Sequence, residues 1–138
     1  MLGQRDVNYR DEIGVSSIAE RVLLHGAEEV RRDPVPTAAR AAARVGARAR
    51  GWWLHVDLDV LDASAFRACG AASDPSMPEG LTWAQLTQVT RTALQAGGCR
   101  GWSIGVYNAD LDPDGRDAQR VVRYLAEVAT SAVAQPAG

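Results

Sequence analysis

The stretch Leu54-His55-Val56-Asp57-Leu58-Asp59-Val60-Leu61-Asp62 constrains this chain more than any other. It reads as an apolar, partly β-branched strand that ends in carboxylates two residues apart. Side chains alternate faces along a strand, which predicts Asp57 and Asp59 on one face and Leu58 on the other. Neighbouring carboxylates at the end of a buried strand repel each other and desolvate poorly unless a cation lies between them. Asp57 and Asp59 are therefore candidate metal ligands. The plainer alternative has one Asp capping the next segment and the other solvated; a third carboxylate at Asp62 weighs against it. Hard carboxylate oxygens suit Mg, Ca or Mn, and nearby imidazoles would shift the choice toward Mn or another transition metal.

His55 shares the face of the pair but lies about 6–7 Å back along the strand. It is expected to pack, or to support a ligand from behind, rather than to bind the ion. His25 reads as structural, near a helix end that favours an imidazolium. Asp110-Leu111-Asp112-Pro113-Asp114-Gly115 matches the first half of a calcium loop, but Val121 stands where that loop needs a glutamate. A turn and a helix N-terminus favouring Asp114 or Asp117 is the stronger reading. No glycine-rich phosphate loop occurs. Ser103, inside an expected strand, and the cysteines show no adjacent base that would make a nucleophile. An α/β nucleotide-binding module with Asp59 on a ribose is thus the weakest option.

At 138 residues the chain fits a single domain. A net charge of −2, with all fifteen basic residues arginine and scattered, argues against a nucleic-acid surface. No apolar run of about 18 residues suggests a membrane span, and no signal peptide is evident. Cys69 and Cys99 are isolated, in keeping with reduced thiols and a cytoplasmic location.

Along the chain, Leu2 to Arg5 reads as a strand end. A helix is expected from Ser16 to Gly26, then a short strand or helix at Glu28–Arg32, with Pro34 and Pro36 as breakers. Helices follow at Thr37–Arg50, at Trp83–Ala96 capped by Thr82, and from Arg116 to about Val133. Trp52–Leu58 and Gly101–Tyr107 are apolar strands, the first of a kind buried on both faces. Between them, Ala63–Gly80 is a long polar loop. Strands alternating with helices give βαβ units and a parallel sheet.

These segments resemble the C-terminal half of the arginase/agmatinase/formiminoglutamase (ureohydrolase) family. His55 to Asp62 is similar to its Asp-x-Asp-x-x-Asp-Pro signature. Pro78-Glu79-Gly80-Leu81-Thr82, Gly3-Gln4-Arg5-Asp6 and Tyr107 to Pro113 are similar to its Pro-Gly-Gly-Leu, Gly-x-Arg and Val-Asn-Pro-x-x-Asp segments. The resemblance implies a three-layer α-β-α fold with a parallel sheet, of which residues 1–138 are the C-terminal portion: one partial domain, truncated at its N-terminus. It implies Mn-dependent hydrolysis of a linear amidine or guanidine C–N bond, with two Mn²⁺ ions activating a bridging hydroxide. Asp57 would bridge the ions and Asp59 would bind one, with His55 and Asp62 supporting them. A small guanidino or amidine substrate and a homo-oligomer are implied too.

Three departures stand out. The family's Gly-Gly-Asp-His and Asp-Ala-His-x-Asp ligand segments are absent, so two ions could not be held tightly. Ala63 replaces the signature proline. Val106 replaces the glutamate that grips a guanidinium in arginases and agmatinases, and it cannot make that charge-assisted bond. The expectation is a chain inactive on its own, with exposed sheet edges that promote self-association. A non-catalytic α/β domain binding one divalent ion weakly is the alternative.

Overall fold

A computed structural model describes residues 1–70 and 77–133. In chain order these form β1 (Leu2–Gln4), α1 (Val7–Glu12), β2 (His25–Gly26), α2 (Ala27–Arg32), α3 (Pro34–Gly46), β3 (Trp52–Asp57), α4 (Trp83–Gln95), β4 (Cys99–Gly105) and α5 (Arg116–Val133). The loop expected over 63–80 lies partly outside the described residues.

Local chemistry accounts for most boundaries. Pro34 and Pro36 do not break the chain but open α3, where a fixed φ is suitable and the missing N–H has no intrahelical partner to lose. Thr82 and Gln85 form a capping box on α4: the Gln85 N–H donates to Thr82 Oγ1 at 3.2 Å, and the Thr82 N–H to Gln85 Oε1 at 2.9 Å. Gly97, at φ +80°, ends that helix in a conformation costly for any residue with a Cβ. At the start of α5 the main cap is Asp112. Its carboxylate accepts from the Asp117 N–H at 3.0 Å and the Ala118 N–H at 2.8 Å. The helix expected over Ser16–Gly26 is absent; α1 forms earlier, and 16–24 is turn and coil. Ile18 and Val22 stay exposed there, and a short helix without a buried face has little to stabilise it.

The strands pair in parallel, as the βαβ reading requires, but in two separate pairs among the described residues: β1 with β2, and β3 with β4. The β3–β4 register runs from Trp52 opposite Cys99 to Asp57 opposite Gly105. Leu54 and Val56 turn toward the helices, while Trp53, His55 and Asp57 lie on an exposed face. Trp53 is 62% exposed, so β3 is not buried on both faces as its apolar sequence suggested.

One hydrophobic cluster joins Val56, Leu58, Leu61, Phe66, Leu81 and Val128. Phe66 meets Trp83 edge-on with ring centroids 5.7 Å apart. Behind it the Tyr124 hydroxyl and Thr90 share a 2.7 Å hydrogen bond. Burial pushes the Tyr124 phenol up to about 12.

Candidate functional site

β3 ends at Asp57, and the chain turns at once into a single 3-10 turn, Leu58–Val60. Asp59 therefore stands on the turn rather than on the strand, and the simple alternation of faces stops one residue before it. The two carboxylates still feel each other. Asp59 is held above the ordinary carboxylate range, first by burial and next by the charge of Asp57, with Arg5 acting in the opposite direction.

Arg5, only 6% exposed, fixes the turn from beneath. Its Nη1 donates to the carbonyls of Asp59 at 2.7 Å and Leu61 at 2.6 Å, and its Nε to the carbonyl of Pro78 at 2.8 Å. The guanidinium thus joins the end of β1, the turn after β3 and the segment before α4. Sequence reasoning noted Arg5 only as part of a resemblance; the unmet carbonyls of a 3-10 turn leave no sequence pattern of their own.

Asp62 serves the same turn. One oxygen accepts from the Ser64 N–H at 2.9 Å and the Ser64 hydroxyl at 2.6 Å, and the other from the Gly80 N–H at 3.0 Å. Those bonds, the Ser64 hydroxyl foremost, lower its carboxyl to about 2. Asp62 ties the loop together.

His55 contacts Asp57 directly, its Nε2 lying 3.0 Å from Asp57 Oδ1. Its Nδ1 is 2.7 Å from Ser103 Oγ, which also accepts from the Trp53 indole N–H at 3.1 Å. An ionised Asp57 can only accept, so in the neutral tautomer that suits both contacts His55 donates through Nε2 and accepts a hydrogen bond from the Ser103 hydroxyl at Nδ1. The strand pairing thus brings Ser103 to an imidazole, a contact that spacing in the sequence did not reveal. With the ring and carboxylate both half exposed, the chain of bonds orients the Asp57 carboxylate along the strand.

Val106 follows β4 at φ +64°, the one non-glycine residue with positive φ among those described. A β-branched side chain is strained there, and such outliers concentrate at functional sites. His25 pairs instead with Glu29 at 2.8 Å, away from the carboxylate pair. Among the described residues no three His, Cys, Asp or Glu side chains come together to hold a metal. Asp57 and Asp59 are hard donors suited to Mn²⁺, but two carboxylates do not make a site for two such ions.

The Arginase family model matches residues 1–133, and a search of curated proteins gives no match. Solved structures similar to the chain include formimidoylglutamase from Bacillus subtilis subsp. subtilis str. 168, with TM-score 0.72 and 21% identity over 94% of this chain and 37% of that one. Agmatine ureohydrolase of Thermoplasma volcanium gives TM-score 0.71 and 18% identity over 96% and 41%. Trypanosoma cruzi formiminoglutamase, solved with Mn²⁺, gives 0.68 and 18% over 82% and 37%. The chain thus spans about two fifths of the length of these structures. Their shared architecture is the α/β three-layer fold expected from the sequence, and with its family model matched over nearly all its length, the chain belongs to the arginase family.

Proposed function

We propose that this chain contributes the Asp57/Asp59 half of a ureohydrolase metal centre, one that hydrolyses a linear amidine or guanidine C–N bond. The carrying observation is the carboxylate pair at the carboxyl end of β3, with Asp59 desolvated beside Asp57 and its backbone clamped by Arg5. In open α/β sheets ligands bind at that end of the strands. His55 and Asp62 hold the neighbouring geometry, His55 by its bond to Asp57 and Asp62 by its loop bonds. Residues 1–138 act as part of one domain, on a small guanidino or amidine substrate, in the cytoplasm and as part of an oligomer.

Two carboxylates with no third ligand beside them among the described residues favour weak binding of one divalent ion by the isolated chain, and no turnover. Release of urea or formamide from guanidino and formimino compounds with added Mn²⁺ should stay at background. Robust turnover would overturn the inactivity. Calorimetry with Mn²⁺ should give weak heats that vanish in Asp57→Ala and Asp59→Ala; heats unchanged by both substitutions would remove the pair from the metal site.

A further inference from the structure

The face of β3 that carries Trp53, His55 and Asp57 lies beside β4 positions that carry little or no side chain. The register sets Trp53 opposite Gly101, His55 opposite Ser103 and Asp57 opposite Gly105. A Cβ at Gly101 would run into the Trp53 ring, and one at Gly105 would lie 2.8 Å from Asp57 Oδ1 and 3.7 Å from His55 Nε2. Glycine at 105 therefore leaves bare backbone beside two donor atoms. Although His55 is set back along the strand, its ring reaches forward, and Nε2 stands 3.0 Å from Asp57 Oδ1. Nitrogen and oxygen ligands held about 2.0–2.2 Å from one metal ion have that separation when they meet it near a right angle.

We propose that His55 Nε2 and Asp57 Oδ1 together chelate one transition-metal ion that favours imidazole, Zn²⁺ foremost, with water completing its coordination. Asp57 is shared with the metal centre proposed above, and for that residue the chelate rests on the same reading; Asp59 is not needed. The neutral imidazole keeps one proton throughout. It leaves Nε2 when the ion binds and is carried at Nδ1, 2.7 Å from Ser103 Oγ. That hydroxyl already accepts from the Trp53 indole N–H at 3.1 Å, and its second lone pair can accept from His55. A ligating imidazole whose other N–H is held in this manner is fixed in tautomer and in ring orientation.

Exposure and charge select this pair over the other histidine. His25 stands 2.8 Å from Glu29, but its side chain is only 12% exposed, and Arg40 already brings a positive charge within 3.7 Å of the same oxygen. The side chains of His55 and Asp57 are 56% and 50% exposed, and among the described residues no arginine forms an ion pair with Asp57. An imidazole with one carboxylate suits Zn²⁺, Ni²⁺ or Cu²⁺ better than Mg²⁺ or Ca²⁺, and Mn²⁺ stands at the weak end of the first-row series. The chelate needs two side chains rather than three, in keeping with the lack of a larger cluster among the described residues.

Calorimetry and histidine-selective ¹⁵N NMR on the 138-residue chain at neutral pH test the chelate without any turnover. Zn²⁺ should bind at least tenfold more tightly than Mn²⁺. His55→Gln should weaken Zn²⁺ binding at least tenfold, while His25→Gln should change it less than twofold. The chain has two histidines, so their ring signals are separable. With Zn²⁺ the His55 ring proton should move from Nε2 to Nδ1, and the His25 signals should stay in place. No Zn²⁺ binding by the wild type, or equal binding by His55→Gln, would overturn the proposal. A His55 ring that keeps its Nε2 proton under saturating Zn²⁺ would do so as well, whether or not His55→Gln folds. The reading above is tested by Mn²⁺ heats in Asp59→Ala, a residue outside this chelate, so failure of one is distinguishable from failure of the other.

Discussion

Replacing Arg5 with leucine should cost more than any other single polar substitution near the site. The guanidinium makes three hydrogen bonds to main-chain carbonyls, at 2.6, 2.7 and 2.8 Å, from a side chain almost wholly buried. A hydrogen bond to a charged group contributes about 1.5–3 kcal/mol, and a carbonyl left dry costs about 1–3 kcal/mol. Against this stands the desolvation of the guanidinium itself, several kcal/mol, which leucine no longer requires. The balance is a net loss of about 3 kcal/mol, a large fraction of the total stability of a domain this size. With a urea slope of about 1.5 kcal/mol per molar, the unfolding midpoint should fall by about 2 M. Arg5→Lys keeps the charge but loses the fork that reaches three carbonyls, and should give roughly half that loss. Urea unfolding followed by tryptophan fluorescence reads both. An Arg5→Leu midpoint within about 0.3 M of wild type would mean that water serves these carbonyls equally well. The clamp would then not be what holds the Asp59 turn.

Phe66→Ala should destabilise by about 3–5 kcal/mol, because the ring is fully buried and packed against Trp83 and Tyr107; a loss under about 2 kcal/mol in urea would show that the site collapses. Val106→Gly removes a β-branched residue from φ +64°. The relief of about 1–2 kcal/mol exceeds the entropic cost of glycine by up to about 1 kcal/mol, so the melting temperature should rise, and a fall would show that the valine side chain packs usefully. Asp62 sits at about 2, below the ordinary carboxylate value of 3.8. A carboxyl lowered by folding contributes stability that is present above the ordinary value and lost as pH falls toward about 2. Asp62→Asn should therefore flatten the fall in stability between about pH 4 and pH 2; curves that drop in parallel would assign the acid sensitivity to other groups.

The parts of this fold legible in the sequence are those decided locally. The cap of Thr82 on α4, the periodic run from Arg116 into α5 and the apolar strand before Asp57 all carry their signal within a few residues. Parallel pairing followed from strands alternating with helices. The rest depended on partners distant in the chain. Whether 16–24 is helical turns on whether Ile18 and Val22 find a surface to cover, and among the described residues they do not. Trp53 looked buried from its neighbours, yet its face of the sheet is open. At the site, the Asp57/Asp59 pair was visible because the two are near in sequence, although the 3-10 turn rather than strand alternation sets how they meet. The clamp by Arg5 spans more than fifty residues, and the contact of Ser103 with His55 spans 48. The second follows from the β3–β4 register and the first from packing of the end of β1 against the turn after β3, neither of which single-sequence periodicity contains.

The carboxylate pair after β3 carries charge that burial makes costly. Arg5 lies close enough to lower the Asp59 carboxyl, yet the bonds described for its guanidinium go to carbonyls. Burial and the charge of Asp57 outweigh it, and Asp59 remains above its ordinary range. Among the described residues no ion pair reaches Asp59, while Asp57 has only a histidine beside it. The turn after β3 therefore holds more negative charge than its own surroundings neutralise, at a cost to folding that a cation would remove.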